Sequence, residues 1–338
     1  MAPQALRLPR AGWLSLAGTI ACVSLIGIYL SRQVTESFWS SFATADLWVL
    51  LLTVPLVLSN MALRSARWRA LLDAPADATL GRTFSALMIG YLANNVLPVR
   101  LGDLVRVVVL AGTTQLSRSR ILSTVLLERL LDVGMVVLLL TSIAFVGSLP
   151  AWLRSAAVAT GVVTILGFAG VCALFVMGPG AVAAFRRWLP FLPARLTARL
   201  EIWVTEFNQG VSQFRRPAVA TAFFGGTLAI WLSEIGIVVT VSRAFHLALG
   251  PLDAGVLMLF SLFSSFIPAL PGQLGTFEAA MLLGLEFLQR SSPSGVAFAL
   301  SLHLVLLIGT SLLGLFCLLG SGLPLLPRKF VERIQFGR

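Results

Sequence analysis

Three charged residues at regular spacing are the first candidates for chemistry. Arg100, Asp103 and Arg106 follow one another at intervals of three residues within an otherwise apolar stretch. This spacing aligns side chains on one face of a helix. A guanidinium group stays charged and its planar fork can hold a phosphate through two hydrogen bonds, so the pattern indicates a site for an anionic group.

A second group of charges follows in the next apolar stretch. The segment LLERLLD places Glu128 four residues before Asp132, and Arg129 three residues before Asp132, so that Arg129 and Asp132 can pair along a helix. Together with the first group, three arginines meet three acids. Two interpretations stay open: a neutral network that only holds helices together, and a site that binds a charged head group.

A third polar segment, PGQLGTFE at 271–278, has the pattern of a tight break that leads into a helix. The amides in the first turn of such a helix suit a phosphate or a carboxylate. Gln273 lies at the break, and Glu278 follows one turn into the helix, where it either complements the helix dipole or carries protons. His303, in a later apolar stretch, is interpreted as a packed, hydrogen-bonded residue.

The elements that position these residues must lie in a membrane. Of the 338 residues, 57% are hydrophobic and 12% are charged, whereas a soluble domain carries roughly 25% charged residues. A water-soluble fold of this composition could not cover its surface with polar side chains. The net charge of +11 is the difference between 25 basic and 14 acidic residues. Because the basic residues lie between long apolar stretches, the charge indicates membrane topology, and we expect no nucleic acid as a partner.

Runs of about 20 apolar residues, the length that spans a bilayer, predict six transmembrane helices. They lie near 12–30, 45–63, 121–147, 155–178, 218–242 and 295–320. The first is interpreted as a retained span and not as a signal peptide, because no small-residue cleavage site follows it.

Two further apolar regions, 83–112 and 253–288, are interrupted by Pro and Gly at mid-length. We interpret both as re-entrant helical hairpins, because the alternating topology then places 18 basic residues on the cytoplasmic side and four outside. The alternative is two kinked spans, which would invert the segment 113–217 and place eight arginines outside. The hairpin topology predicts a multi-pass protein of the inner (cytoplasmic) membrane with both termini in the cytoplasm.

The two interrupted regions share the pattern LPxxLG, as LPVRLG at 97–102 and LPGQLG at 270–275. Each lies between two predicted spans, so the halves 45–147 and 218–320 form an inverted repeat, a plan that recurs in transporters with broken helices at the midplane. Non-helical backbone at that depth requires surrounding protein or a water-filled cavity. The residues assigned to the hairpin breaks are Pro98, Gly102, Pro271, Gly272 and Gly275, and Asn94 and Asn95 offer amides to the first break.

The predicted fold is an all-α polytopic membrane protein with about six full transmembrane helices and two re-entrant hairpins in an inverted repeat. We expect a single transmembrane domain over 1–338, with an amphipathic cytoplasmic connector at 181–217. The candidate binding and transport residues are Asn94, Asn95, Arg100, Asp103, Arg106, Glu128, Arg129, Asp132, Gln273 and Glu278. We expect no cofactor and no metal, since zinc-binding spacings, nucleotide-binding glycine loops and a Gly-x-Ser-x-Gly elbow are absent from the sequence.

Four segments together resemble the transmembrane region of lysylphosphatidylglycerol synthases, also called the flippase-like family. They are RSARWRALL at 64–72, IGYLANNVLPVRLGDLVR at 89–106, LERLLD at 127–132 and PGQLGTFE at 271–278. The resemblance implies a bacterial or archaeal polytopic protein that moves lipids or lipid-linked glycans. The sequence ends at Arg338, so we expect the membrane region without the soluble synthase domain, and no lysyl transfer. Stand-alone relatives include hopanoid-associated proteins and partners of glycosyltransferases.

These observations predict a flippase-like transporter that binds an anionic or zwitterionic head group in a polar cavity at the midplane. Two alternatives stay open, a membrane-embedded lipid-modifying transferase and a noncatalytic partner of a glycosyltransferase. We expect membrane lipids or lipid-linked glycans as partners. A homo-oligomer or a complex with a glycosyltransferase is also left open.

Overall fold

The computed structural model describes residues 36–72, 75, 77–97, 101–146, 212–264 and 271–321, together with isolated positions between 155 and 209. Across this part of the chain the regular structure is helical and contains no strand, which confirms the all-α prediction there. The predicted span at 12–30 lies outside the described residues, as do most of the span at 155–178 and most of the connector at 181–217.

The first half of the chain forms helices of unequal length. In chain order they are α1 (Glu36–Ala43), α2 (Leu47–Leu51), α3 (Thr53–Leu71), α4 (Leu80–Val96), α5 (Gly102–Thr113) and α6 (Arg118–Val146). Asp46 begins α2, because its Oδ1 atom accepts hydrogen bonds from the backbone N–H groups of Trp48 and Val49 at 2.9 and 3.2 Å. Only Leu52 separates α2 from α3, so Leu47–Leu71 forms one apolar helical stretch of 25 residues.

The second half repeats the order of long helix, two short helices and long helix. After a 3₁₀ turn at Gln213–Arg215 come α7 (Pro217–Ala244), α8 (Pro251–Ser264), a second 3₁₀ turn at Pro271–Gln273, α9 (Thr276–Phe287) and α10 (Pro293–Gly320). Helices α7, α8 and α10 each begin with proline. Proline is favoured at this position because its ring presets the helical φ angle and the missing N–H would have no partner there.

Three of the described helical stretches are long and apolar enough to cross a membrane, namely Leu47–Leu71, Pro217–Ala244 and Pro293–Gly320. They correspond to the predicted spans at 45–63, 218–242 and 295–320. Helix α6 has 29 residues, about 43 Å of helix, and covers the predicted span at 121–147. The total of six spans stays a prediction.

The four short helices are 17, 12, 14 and 12 residues long, whereas a span requires about 20 residues. Within each pair the two helices pack closely. A Cβ atom on Gly284 of α9 would lie 2.7 Å from Leu257 of α8, and one on Gly90 of α4 would lie 2.9 Å from the carbonyl oxygen of Gly102, the first residue of α5. In both interrupted regions the two short helices therefore pack against each other; the re-entrant hairpins stay a prediction.

Large apolar side chains cover much of the outer surface of the helices. Trp48 on α2 is 80% exposed and Phe316 on α10 is 77% exposed, and many leucines on the same helices are also exposed. A soluble protein rarely exposes apolar area on this scale, so these surfaces are suited to contact with acyl chains.

The chain divides into two compact units. Unit 1 comprises residues 1–54, 94–100 and 235–308, and unit 2 comprises residues 55–93, 101–234 and 309–338. Unit 1 contains α8, α9 and the first part of α10. Unit 2 contains α5, α6 and most of α3 and α4. Each unit thus combines segments from both halves of the sequence.

Candidate functional site

Six ionisable residues of unit 2 form one network of ion pairs, which we call the ionic cluster. They come from helices α3, α5 and α6: Arg67, Asp103, Arg106, Glu128, Arg129 and Asp132. Because three guanidinium groups meet three carboxylates, the network is neutral as a whole.

Arg67 lies at the centre of the ionic cluster, with a fully buried side chain. Its Nη2 atom lies 2.6 Å from Oε1 of Glu128, and its Nη1 atom donates to Oδ1 of Asp132 at 2.8 Å and to the hydroxyl of Thr227 at 3.1 Å. The guanidinium group also lies over the ring of Phe223, 5.2 Å from its centroid. The side chain of Arg67 on α3 therefore contacts both α6 and α7.

Arg106 brings α5 into the same network. Its Nη1 atom donates to Oε2 of Glu128 at 2.9 Å, so the two oxygens of this carboxylate are held by two different arginines. The guanidinium group lies 4.9 Å from the centroid of the Trp68 ring, and the indole N–H of Trp68 donates to the hydroxyl of Thr124 at 3.1 Å. These buried groups hold one another in a single arrangement.

Arg129 and Asp103 form the accessible edge of the ionic cluster. Nε and Nη2 of Arg129 donate to the two carboxylate oxygens of Asp103 at 3.1 and 3.0 Å. The side chain of Arg129 is 51% exposed, whereas that of Arg106 is 2% exposed. Arg129 lies 4.0 Å from Asp132, so its main partner is Asp103 on the neighbouring helix and not the acid three residues along its own helix.

A separate ion pair joins α3 to α7. Arg64 pairs with Glu234, and Nε of Arg64 donates to Oδ1 of Asn60 at 2.9 Å. The amide of Asn60 in turn donates to the carbonyl of Ile230 at 3.1 Å and contacts the hydroxyl of Ser233. These polar contacts join α3 and α7.

Unit 1 contains a second buried polar group, the Glu278–His303 pair. Nδ1 of His303 lies 2.6 Å from Oε1 of Glu278, and Nε2 lies 2.8 Å from the carbonyl oxygen of Gly272. The other carboxylate oxygen of Glu278 accepts the backbone N–H of Gly275 at 2.7 Å. The ring of Phe277 stacks on the imidazole at 4.5 Å, and both members of the pair are buried.

The backbone of the second break requires glycine. Gly272 and Gly275 have φ angles of 69° and 87°, in the left-handed region that glycine enters without steric cost, and Gln273 between them has a φ angle of 58°. A Cβ atom on Gly272 would lie 2.8 Å from the side chain of Leu307 and 3.5 Å from the carbonyl oxygen of Asn95. The amide of Asn95 donates to the carbonyl of Leu307 at 3.4 Å, so within unit 1 the end of α4 and the second break meet against α10.

The structure places most of the predicted site residues in these two groups. Asp103, Arg106, Glu128, Arg129 and Asp132 form the ionic cluster with Arg67, and Gly272, Gly275 and Glu278 contribute to the second group or its backbone. Asn94 and Asn95 lie in the last turn of α4, Gly102 is the first residue of α5, and Pro271 and Gln273 form the 3₁₀ turn. Arg100 and Pro98 lie outside the described residues.

Two central residues were absent from the predicted set. Arg67 lies in the segment RSARWRALL at 64–72 but is not among the candidate residues, yet it is buried at the centre of the ionic cluster. His303 was interpreted as a packed residue, and it is indeed hydrogen-bonded, but to Glu278. The signal that could have found Arg67 is its position one turn after Arg64, which places both side chains on the face of α3 that meets other helices. Among the described residues no group of three His, Cys, Asp or Glu could hold a metal ion.

Comparison with known proteins identifies one family. The model described as the lysylphosphatidylglycerol synthase TM region matches residues 12–314 of the chain. Neither the comparison with curated proteins nor that with solved structures gave a significant match. The family match agrees with the resemblance drawn from the four sequence segments.

Proposed function

Because the chain belongs to the lysylphosphatidylglycerol synthase TM region family, we propose that it translocates a lipid or a lipid-linked glycan across the cytoplasmic membrane. The family ties this membrane protein to lipid metabolism. The observation that carries the finer proposal is the ionic cluster. It combines charges buried among apolar helices with one accessible guanidinium group.

The arginines of the ionic cluster have two different roles. Arg67 and Arg106 are held inside by Glu128 and are buried, so they fix α3, α5 and α6 to one another. Arg129 is half exposed and is held by the partly exposed carboxylate of Asp103. Because about half of the Arg129 side chain is not covered by protein, another anion can reach the guanidinium group and displace the carboxylate.

In this proposal Arg129 receives the head group. A phosphate group presents the same pair of oxygens as a carboxylate, and the planar guanidinium fork binds both bidentately. Asp103 then loses one partner but stays 3.0 Å from Nη2 of Arg106, so its charge remains compensated when Arg129 changes partner. The exchange needs no rearrangement of the buried core of the cluster.

The insertion of the chain forms part of the same proposal. Both halves contain a long helix, a hairpin of two short helices and a second long helix, which supports an inverted repeat with re-entrant hairpins. The excess of basic residues on one side supports cytoplasmic termini. Labelling single cysteines near 118 and near 290 from each side of the membrane tests this, since the topology places them on opposite sides.

Translocation is tested with purified protein in vesicles of zwitterionic phospholipid that contain a trace of fluorescent anionic phospholipid. An impermeant reductant bleaches only the outer leaflet, so bleaching beyond half of the signal reports lipid that has crossed. We expect the Arg129→Gln variant to lose this additional bleaching because the head group loses its bidentate partner.

The matched control is Arg120→Gln on the same helix, where the guanidinium group donates to the carbonyl of Leu72 at 3.1 Å. We expect this variant to move lipid at the wild-type rate. Unchanged translocation in Arg129→Gln would refute the assignment of Arg129. A covalently modified lipid formed by the wild-type protein in detergent would instead favour a transferase.

A further inference from the structure

The hydrogen bonds of the Glu278–His303 pair determine how many protons it holds. A carbonyl oxygen only accepts hydrogen bonds, so Nε2 of His303, at 2.8 Å from the Gly272 oxygen, must carry a hydrogen. Nδ1 and Oε1 of Glu278 lie 2.6 Å apart, and this contact is attractive only when a proton lies between the two atoms. The pair in this geometry therefore holds two protons, as an imidazolium beside a carboxylate or as a neutral imidazole beside a carboxylic acid, and its net charge is zero.

Loss of one proton changes which contacts the imidazole can make. The remaining proton is retained on Nδ1, because a hydrogen bond to an ionised carboxylate is stronger than one to a neutral carbonyl. Nε2 is then a bare acceptor that faces the carbonyl oxygen of Gly272, and the two lone pairs repel. Deprotonation thus removes the bond between α10 and the turn at Pro271–Gln273 while it preserves the bond between His303 and Glu278.

The helices around the pair supply no compensating cation. Helices α8, α9 and α10 contain no arginine and no lysine, and the end of α4 contributes only uncharged residues. The other carboxylates on these helices are Asp253, which accepts the backbone N–H of Gly250 at 2.9 Å, and the exposed Glu286. Among the described residues, His303 is therefore the ionisable partner of Glu278. Removal of the proton leaves the buried carboxylate without this positive charge beside it, which is unfavourable.

From this arrangement we propose that Glu278 and His303 form a binding site for one exchangeable proton, and that this proton keeps the second hairpin break attached to α10. With the proton bound, the Gly272 carbonyl is held by His303. Without it, the turn around Gly272 is released. Gln273 in the same turn has a φ angle of 58°, which is uncommon for a residue with a Cβ atom, so the conformation of the turn depends on its surrounding contacts.

The Glu278→Gln variant separates the effect of the exchangeable proton from the effect of the hydrogen-bond geometry. The glutamine oxygen can still accept the N–H of Gly275, and its NH₂ group can donate to Nδ1 of a neutral His303 that keeps its hydrogen on Nε2. The variant therefore imitates the proton-bound pair without being able to release the proton. We expect it to fold and to keep the break attached at every pH.

The first measurement follows His303 by ¹⁵N NMR on histidine-labelled protein in lipid nanodiscs. The chain has two histidines, and a His246→Gln variant assigns the signals. As the pH rises, we expect Nε2 of wild-type His303 to change from protonated to unprotonated. In Glu278→Gln we expect Nε2 to stay protonated. The same titration in both proteins would overturn the proposal.

The second measurement follows the break itself with a nitroxide on Leu274→Cys in a background without the three native cysteines. Leu274 is exposed, so the label reports the turn without entering the core. We expect the label's mobility to rise with pH along a one-proton curve, which covers most of its amplitude in about two pH units, and to stay constant in Glu278→Gln.

Asp253→Asn is the matched control, since it also changes a carboxylate that accepts a backbone N–H near the start of a helix in unit 1 but has no histidine partner. It should keep the wild-type pH dependence. A label whose mobility is independent of pH in the wild-type background would overturn the proposal. Neither measurement involves lipid transport, so failure here is distinct from failure of the proposed function.

Discussion

Replacement of Arg67 by methionine tests whether the ionic cluster holds unit 2 together. The substitution keeps an apolar stem of similar length but removes the charge-assisted bonds to Glu128 and Asp132 at 2.6 and 2.8 Å. Two such bonds contribute about 1.5–3 kcal/mol each. Glu128 keeps Arg106 as a partner, and the Asp132 side chain is 20% exposed. We therefore expect a loss in the lower part of the combined range of about 3–6 kcal/mol, namely about 3–4 kcal/mol.

The assay is reversible unfolding in mixed micelles with an increasing fraction of sodium dodecyl sulfate, followed by circular dichroism. Arg69→Met is the control, because Arg69 is exposed and makes one hydrogen bond, from Nε to the carbonyl of Ala78 at 2.9 Å; it should lose no more than about 1 kcal/mol. In the Arg67→Met background, Asp132→Asn should recover about 1–2 kcal/mol because it removes the stranded charge. A loss below about 1 kcal/mol in Arg67→Met, the level of a surface ion pair, would refute the central role of Arg67.

Two further predictions use the same unfolding assay. Gly314→Ala in α10 should lower the free energy of unfolding by about 1–3 kcal/mol, because its Cβ atom would lie 2.5 Å from the backbone carbonyl oxygen of Met88. The control is Gly320→Ala in the same helix, whose Cβ atom meets nothing within 4 Å and which should be neutral or slightly stabilising. Equal losses would contradict the close approach of α4 and α10. Trp68→Phe should lower the free energy of unfolding by about 0.5–1.5 kcal/mol, since the buried hydroxyl of Thr124 loses the indole donor at 3.1 Å. An unchanged stability would show that this hydrogen bond contributes nothing.

The helices follow from local properties of the sequence. A bilayer requires about 20 apolar residues for a span, and Leu47–Leu71, Pro217–Ala244 and Pro293–Gly320 satisfy this by composition alone. The breaks are also local, because proline and glycine interrupt the helix wherever they occur together. The predicted interruptions at 97–102 and 270–275 accordingly fall between α4 and α5 and between α8 and α9.

Partners within one helix turn are predictable for the same reason. Asp103 and Arg106 are three residues apart and lie within 3.0 Å. Sequence spacing does not predict the partner of a charged residue when a nearer partner lies on another helix. Arg129 binds Asp103 on α5 at 3.0 Å and lies 4.0 Å from Asp132 on its own helix, because the two-atom contact with a facing carboxylate is geometrically better than the oblique contact along one helix.

Long-range partners are not encoded in any spacing. Arg67 and Glu128 are separated by 61 residues, and Glu278 and His303 by 25. Both pairs depend on which faces of two helices are packed together, and this is decided by the whole set of helix contacts. A buried charge in an apolar helix indicates that a partner exists, but only the fold identifies it.

The charge balance of the ionic cluster determines how a membrane voltage can act on the cluster. Three guanidinium groups offset three carboxylates, and a potential of 100 mV does about 2.3 kcal/mol of work per elementary charge moved across the membrane. A cluster without net charge is displaced as a unit without electrical work. In the proposed translocation, a current across a vesicle membrane would then contain no contribution from the ionic cluster, and the cargo's charge would contribute to it. A zwitterionic lipid that travels alone would cross at a rate independent of voltage, whereas a monoanionic lipid would respond to it.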